Sequence, residues 1–140
     1  MNIVLVEDDH YEREDIKAAI REQFPTAVVQ TIRTESAFMK ALNTFVQRPD
    51  IFLIDIMLRW TDPSPDITMP PPNCSFLDAG FRCAEELQKV MPGVPTVLYT
   101  VLDNQDIQAR RKKLARDVRY VRKSSDLRPL YDAIRELTQP

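Results

Sequence analysis

The stretch that decides the fold is Ile51-Phe52-Leu53-Ile54-Asp55-Ile56-Met57-Leu58, an apolar run interrupted by one carboxylate. An unalternating apolar run of this length, rich in branched residues, is typical of a strand buried on both faces of a parallel sheet. We therefore predict a central strand over 51–58, with Asp55 in it or at its end. An isolated carboxylate in such a place loses much of its hydration, so a compensating group is expected nearby.

Strands and helices alternate along the rest of the chain. Short β-branched runs predict further strands, and apolar residues at helical spacing, with capping residues before them and proline or glycine after them, predict helices. The predicted elements are β1 (3–6), α1 (from the Asp9 cap to Phe24), β2 (27–32), α2 (from the Thr34 cap towards Pro49), β3 (51–58), α3 (81–91), β4 (94–99, with Thr100 at its end), α4 (103–115), β5 (118–121) and α5 (127–137). Because parallel strands need crossover connections, we expect a doubly wound α/β domain.

Length and composition fit one soluble domain over residues 1–140. The chain has 140 residues, of which 44% are hydrophobic and 29% charged, and its formal net charge is −2. No signal peptide and no apolar run long enough to cross a bilayer is visible, so we expect a cytoplasmic protein without membrane contact. Cys74 and Cys83 are expected to be free thiols.

Residues 59–78 break the pattern. The segment is rich in proline, which interrupts strand pairing and favours extended loop, so we predict a long insertion between β3 and α3. It is either a tolerated surface loop or, through the apolar side chains of Trp60, Met69 and Phe76, a surface for a partner or a cover over the site. The sequence leaves both readings open.

Polar residues cluster where the predicted strands end. Glu7 and Asp8 follow β1, Asp55 lies in β3, Thr100 ends β4 and Lys123 follows β5. If β1 and β3 are neighbours, as in the strand order 2-1-3-4-5, the carboxylates converge and repel one another. Mg2+ is the preferred cation for such oxygen ligands, whereas the His and Cys cluster that zinc prefers is missing. Such a site could support phosphoryl transfer to Asp55, with Lys123 and Thr100 contacting the transferred group.

Each of these residues also has an ordinary structural interpretation. Lys123 taken alone could be a solvated lysine, and Thr100 could satisfy a backbone group at the end of a strand. Glu7 and Asp8 could be acids at the positive end of a helix. The functional interpretation rests on the observation that these residues lie together at the ends of four predicted strands, β1, β3, β4 and β5.

The motifs V-E-D-D after β1, L-I-D-I-M-L at β3, V-P-T-V-L-Y-T at β4 and Y-V-R-K at β5 resemble those of receiver domains of bacterial two-component response regulators. The resemblance covers essentially the whole chain and implies a flavodoxin-like, CheY-like fold. It implies that Asp55 is the phosphoacceptor, that Glu7 and Asp8 bind Mg2+ with it, and that Lys123 pairs with the phosphoryl group. Thr100 resembles the switch hydroxyl, and Tyr120 the aromatic residue that reports the switch.

Two departures from the family pattern have consequences. The loop after β3 is normally short, whereas the 59–78 insertion here could cover or redirect the site. Met57 and Leu102 occupy positions that tune the phosphoryl lifetime in the family. Because their apolar side chains cannot position an attacking water, we expect slow self-hydrolysis.

The resemblance implies a phosphoaccepting switch that catalyses only its own phosphorylation and dephosphorylation. A histidine kinase or a His phosphotransfer protein would be the donor. A downstream protein would bind the α4-β5-α5 face or the 59–78 loop, unless an effector domain follows in a longer protein. Homodimerisation through α4-β5-α5 is left open.

Functions of other classes are less well supported. The alternative is a protein-interaction module with a receiver fold that works without phosphorylation. A metal-dependent phosphatase would need a second acid where Met57 stands, and the acidic β1 loop lacks the glycines of a nucleotide or flavin site. The basic run from Arg110 to Arg116 is interpreted as a solvated helix face, because consecutive charges spread around a helix and the sequence lacks a nucleic-acid-recognition motif.

Overall fold

The structure is a computed structural model that describes residues 1–62, 69–72, 74–111, 114 and 117–139. Five parallel strands form one sheet in the order β2-β1-β3-β4-β5. The elements are β1 Asn2–Val6, α1 His10–Gln23, β2 Val28–Ile32, α2 Glu35–Ala41, β3 Ile51–Ile54, a short 3-10 helix Phe76–Asp78, α3 Ala79–Val90, β4 Thr96–Thr100, α4 Asn104–Arg111, β5 Val118–Arg122 and α5 Arg128–Thr138. The predicted doubly wound sheet and its strand order are confirmed.

The sheet is covered by a hydrophobic layer on each face. Alternate residues of β1 and β3 point to opposite layers, which explains why both strands are apolar throughout. Ile3 and Leu5 pack with α1 and α5, whereas Val4 and Val6 pack with α2, α3 and α4. Within the first layer lie Ile16 and Ile20 of α1, and within the second lie Phe38 of α2, Phe81 and Leu87 of α3, and Ile107 of α4.

Strand β3 is shorter than predicted. It ends at Ile54, and Asp55 is the first residue beyond it. The amide of Met57 donates to Asp55 Oδ1, 3.2 Å away, which turns the chain out of the sheet direction. Ile56 and Leu58 are nevertheless buried in the core, so packing rather than strand pairing accounts for their apolar character.

Helix α2 is also shorter than the sequence pattern predicts. It ends at Ala41, and the amide and hydroxyl of Thr44 both donate to the Ala41 carbonyl, at 2.9 and 2.8 Å. This local side-chain bonding competes with continuation of the helix. Phe45, which the pattern assigned to α2, lies outside the helix and packs edge-on against Phe52, with ring centroids 5.8 Å apart.

The described part of α4 runs over Asn104–Arg111, and its predicted end at residue 115 lies outside the described residues. The predicted start of β4 needs a small correction, because the strand begins at Thr96 instead of residue 94. Residue 95 is a proline, which cannot donate an amide hydrogen to a neighbouring strand. Much of the basic run after Arg111, and residues 63–68 and 73 of the predicted insertion, lie outside the described residues.

The described part of the insertion is anchored to α2 and to the segment that follows β3. The Arg59 and Trp60 carbonyls accept hydrogen bonds from the amides of Glu35 and Ser36, at 2.9 and 2.8 Å. These amides belong to the first turn of α2, where backbone amides have no carbonyl acceptor within the helix. Leu58 donates to the Phe76 carbonyl at 3.2 Å, so both ends of the insertion are tied to the fold.

Candidate phosphorylation site

The carboxyl ends of β1 and β3 bring three acidic residues together. Val6 and Ile54 are paired in the parallel register, so the residues after them leave the sheet side by side. The Asp55 amide donates to the Val6 carbonyl at 3.0 Å, and the Glu7 amide donates to the Ile32 carbonyl at 3.0 Å. The sheet therefore fixes the backbone of both acids before their side chains interact.

The side chains of these acids converge as the sequence predicted. One carboxylate oxygen from each of Glu7, Asp8 and Asp55 lies within 4.8 Å of the others. Glu7 is 1% exposed and Asp55 7% exposed, whereas Asp8 is only partly buried. Opposite ligands of a Mg2+ ion lie ~4.2 Å apart, twice the preferred ligand distance, so this donor set fits the ion with small side-chain adjustments.

Lys123 places its ammonium group among these carboxylates. It follows β5 directly, and its amide donates to the Thr100 carbonyl at 2.7 Å. Its Nζ lies 2.8 Å from Glu7 Oε2 and 2.9 Å from Asp55 Oδ2. Lys123 therefore lies at the acidic site and is no freely solvated lysine, whereas its pairing with a phosphoryl group stays a prediction.

Burial and charge shift the ionisation of this cluster. Burial raises the pKa of Glu7 to about 8, repulsion from Asp55 adds to the shift, and Lys123 opposes it. Burial also raises the pKa of Asp55, against the opposing charge of Lys123. For Lys123 itself burial lowers the pKa, but the charges of Asp55 and Glu7 outweigh it and the pKa is raised. The cluster is short of positive charge, which is the condition that a divalent cation relieves.

Thr100 and Tyr120 have different positions relative to the acids. Thr100 is fully buried at the end of β4, and its hydroxyl accepts a hydrogen bond from the Leu102 amide at 3.3 Å. Tyr120 lies in β5, opposite Leu98, and packs against the core layer that contains α2, α3 and α4. Their roles as switch residues stay predictions.

Three residues that the sequence reasoning did not assign to the site contact its acids or Lys123. Arg13 of α1, 5% exposed, donates to the Glu7 carbonyl at 3.0 Å. Arg59 donates its backbone amide to Asp8 Oδ2 at 2.9 Å, and its Nε lies 3.5 Å from the same oxygen. Glu12 Oε2 lies 2.6 Å from Lys123 Nζ. No sequence motif marks Arg13 or Arg59, whereas Glu12 stands three residues after the Asp9 cap, where a capping box places a glutamate.

The acids open into a cavity of about 360 Å3. Five of its lining residues are acidic and two are basic; the lining is Glu7, Asp8, Asp9, Glu12, Asp55, Met57, Arg59, Phe76, Val101 and Lys123. Met57, Phe76 and Val101 give the cavity an apolar rim. An anionic substrate entering it meets excess negative charge, so its approach depends on added positive charge.

Comparison with solved structures identifies this architecture. The chain superposes on the N-terminal domain of a response regulator/sensory box/GGDEF 3-domain protein from Carboxydothermus hydrogenoformans with a TM-score of 0.72, at 18% identity, over 99% of this chain and 94% of that one. The chain has the receiver-domain fold. The CheY-like architecture predicted from the motifs is thereby confirmed.

Two further receiver structures support the same assignment of the fold. The response regulator TrrA from Thermotoga maritima, in complex with Mg2+-BeF, gives a TM-score of 0.70 at 19% identity, covering 97% of each chain. The phosphorylated cyanobacterial phytochrome response regulator RcpA gives 0.69 at 22% identity, over 97% of this chain and 89% of that one. No protein family model and no curated protein sequence matches the chain. None of the described helices has the length and apolar character of a membrane span.

Beside the site, a buried ion pair joins the receiver fold to its insertion. Arg82 of α3 donates to both carboxylate oxygens of Glu35, at 2.8 and 2.7 Å, and to the Ser75 carbonyl at 2.7 Å. Glu35 is 2% exposed, so the pair is largely shielded from water. Glu35 and Arg82 line a second cavity of about 370 Å3 together with Trp60, Cys74 and Phe76. The described part of the insertion is therefore packed against the domain.

Proposed function

We propose that the chain is a phosphoaccepting signalling switch, in which Asp55 is phosphorylated in a Mg2+-dependent reaction by a histidine kinase or a His phosphotransfer protein. The observation that carries the proposal is the contact of Asp55 Oδ2 with Lys123 Nζ at 2.9 Å, beside Glu7 and Asp8. A nucleophile, a cation and an acidic pair at one edge of a receiver fold form the set of groups that this chemistry needs.

The acidic residues support the metal requirement. Glu7, Asp8 and Asp55 would hold the ion through carboxylate oxygens, leaving other positions for water and a phosphoryl oxygen. When bound, Mg2+ would supply the positive charge that neutralises the transferred phosphoryl group. Arg13 holds the Glu7 backbone, and the Arg59 amide holds Asp8, so both acids are oriented before any ligand arrives.

The transfer step uses the carboxylate of Asp55 as the nucleophile. One Asp55 oxygen forms a bond to phosphorus while the bond between phosphorus and the donor atom breaks. The electron pair of that bond leaves with the donor: acetate when acetyl phosphate is the donor, or the imidazole of a phosphohistidine. Lys123 and the Thr100 hydroxyl would then bind the phosphoryl oxygens. The chain catalyses only this transfer and the later hydrolysis at Asp55.

The output of the switch would be binding to a partner protein. The α4-β5-α5 face and the 59–78 loop are the proposed surfaces, with rearrangement of Thr100 and Tyr120 as the link to Asp55. Homodimerisation through α4-β5-α5 is a further form that the output could take.

Phosphorylation with a small-molecule donor tests the proposal. The wild-type protein and Asp55→Asn are incubated with acetyl phosphate, with and without Mg2+, and resolved on a phosphate-affinity gel. We expect a slower-migrating species only for the wild type incubated with both acetyl phosphate and Mg2+. Equal mobility under all conditions, together with undiminished partner binding by Asp55→Asn, would instead support a phosphorylation-independent interaction module.

A further inference from the structure

Glu12 supplies a third carboxylate to Lys123. Its Oε2 lies 2.6 Å from Nζ, closer than Glu7 Oε2 at 2.8 Å or Asp55 Oδ2 at 2.9 Å. The Glu12 side chain is 47% exposed, whereas that of Glu7 is 2% and that of Asp55 8% exposed. Glu12 is therefore the acid in this group whose carboxylate can return to water most easily.

The start of α1 explains why Glu12 is available for this contact. Asp9 caps the helix by accepting a hydrogen bond from the Glu12 amide at 2.9 Å. In a complete capping box the glutamate side chain would return to the amide of the capping residue. Here the Asp9 amide donates instead to Glu7 Oε1, at 3.2 Å. The glutamate of the capping signal is thereby released and turns towards Lys123.

Three carboxylates use the full donor capacity of the ammonium group. A lysine Nζ carries three protons, and Lys123 has three acid partners at hydrogen-bonding distance. A phosphoryl oxygen can therefore bind Lys123 only if one of these partners leaves. The Glu7 carboxylate is buried and also accepts a hydrogen bond from the Asp9 amide, and Asp55 is the proposed attachment point of the phosphoryl group. Glu12 has neither constraint.

We infer that Glu12 is a positioning residue that holds the Lys123 ammonium in the unphosphorylated site and gives up this contact to the phosphoryl group. The inference rests on the proposed function. The proton stays on Lys123 Nζ throughout, and only the acceptor of its hydrogen bond changes from Glu12 Oε2 to a phosphoryl oxygen. In this role Glu12 competes with the phosphoryl group and weakens its binding.

Beryllofluoride, a stable mimic of the phosphoryl group, provides the test. Binding to the full chain is measured in the presence of Mg2+ for the wild type, Glu12→Gln and Glu14→Gln. Glu14 is an exposed glutamate on the same helix and, in the described part of the chain, makes no hydrogen bond to Lys123, so its variant matches the change in charge and chemistry. We expect Glu12→Gln to bind beryllofluoride tighter by on the order of threefold and Glu14→Gln to bind like the wild type.

A second readout follows the lysine directly. Proton exchange at the Lys123 ammonium group, measured by 15N NMR without beryllofluoride, is expected to be faster in Glu12→Gln than in the other two proteins. Unchanged proton exchange in Glu12→Gln would show that Glu12 does not hold the Lys123 ammonium group. Faster exchange together with unchanged or weaker beryllofluoride binding would show that Glu12 does not compete with the phosphoryl group. Asp55→Asn is titrated with beryllofluoride in parallel. If the wild type binds as poorly as this variant, the proposed function fails and the inference fails with it.

Discussion

Gly80 lies so close to the backbone of Asp55 that no side chain fits between α3 and the end of β3. A β-carbon built on Gly80 would lie 2.5 Å from the Ile56 Cα and would also overlap the Asp55 carbonyl. The Gly80 amide donates to the Ile56 carbonyl at 2.8 Å, so the close approach is itself hydrogen bonded. The position of Asp55, the proposed phosphoacceptor, thus depends on a glycine that follows the whole insertion in sequence.

Replacing Gly80 by alanine is expected to shift the backbone at Asp55. Overpacking against fixed backbone atoms costs about 1–3 kcal/mol or more, and urea unfolding measures this loss. The matched control is Gly93→Ala, whose φ of 78° makes alanine strained although the nearest atoms beyond its neighbours are 3.9 Å away. Both variants should lose stability, but only Gly80→Ala should lose beryllofluoride binding. Equal binding by the two variants would contradict the role given to Gly80.

The stability of the wild type without divalent cations is expected to fall as the pH rises from about 5 to 8. The pKa of Glu7 is raised from 4.5 to about 8 in the folded state, so over this range the folded chain holds a proton that the unfolded chain has lost. Denaturant unfolding at several pH values measures the slope. Glu7→Gln should flatten the profile, and Mg2+ should restore stability at pH 8. If the stability of the wild type depended on pH as little as that of Glu7→Gln, the raised pKa of Glu7 would be contradicted.

Loss of Arg82 should destabilise the protein far more than loss of Arg110, whose ion pair is more open to water. Arg82→Met leaves Glu35 buried without its bidentate partner, and breaking a buried pair on one side costs about 3–5 kcal/mol. Arg110 pairs with the half-exposed Glu85 at 3.1 Å, and Arg110→Met should cost at most about 1 kcal/mol. Chemical denaturation of both variants checks the difference. Similar losses would mean that the Glu35 pair is solvated.

The two cysteines should differ in reactivity. Cys83 is buried in the core between the sheet and α3, and burial raises the pKa of its thiol well above the usual value. Cys74 lies in the insertion and is only partly buried. We expect a thiol reagent at pH 8 to modify one cysteine per folded chain, identified as Cys74 by peptide mass spectrometry. Cys74→Ser should then be unreactive until it is unfolded, and rapid labelling of its Cys83 would contradict this packing.

The sheet and most of the site were accessible from sequence because they depend on local patterns. Apolar runs such as 3–6 and 51–54 mark strands buried on both faces, and the parallel order places their carboxyl ends at one edge. Glu7, Asp8, Asp55 and Lys123 could therefore be predicted to meet. The lengths of β3 and α2 could not, because hydrogen bonds at Asp55 and Thr44 end these elements within apolar patterns that continue.

The sequence by itself determined which segments form strands and which residues follow them, since both depend on the periodicity of apolar side chains. Only the tertiary structure decided which partners these residues take. Glu12 binds Lys123, 111 positions away, because Glu7 occupies the amide that Glu12 would have capped, and Arg59 reaches Asp8 because the insertion starts beside β1. Such contacts depend on side-chain competition between elements distant in sequence, and no local pattern encodes the outcome of that competition.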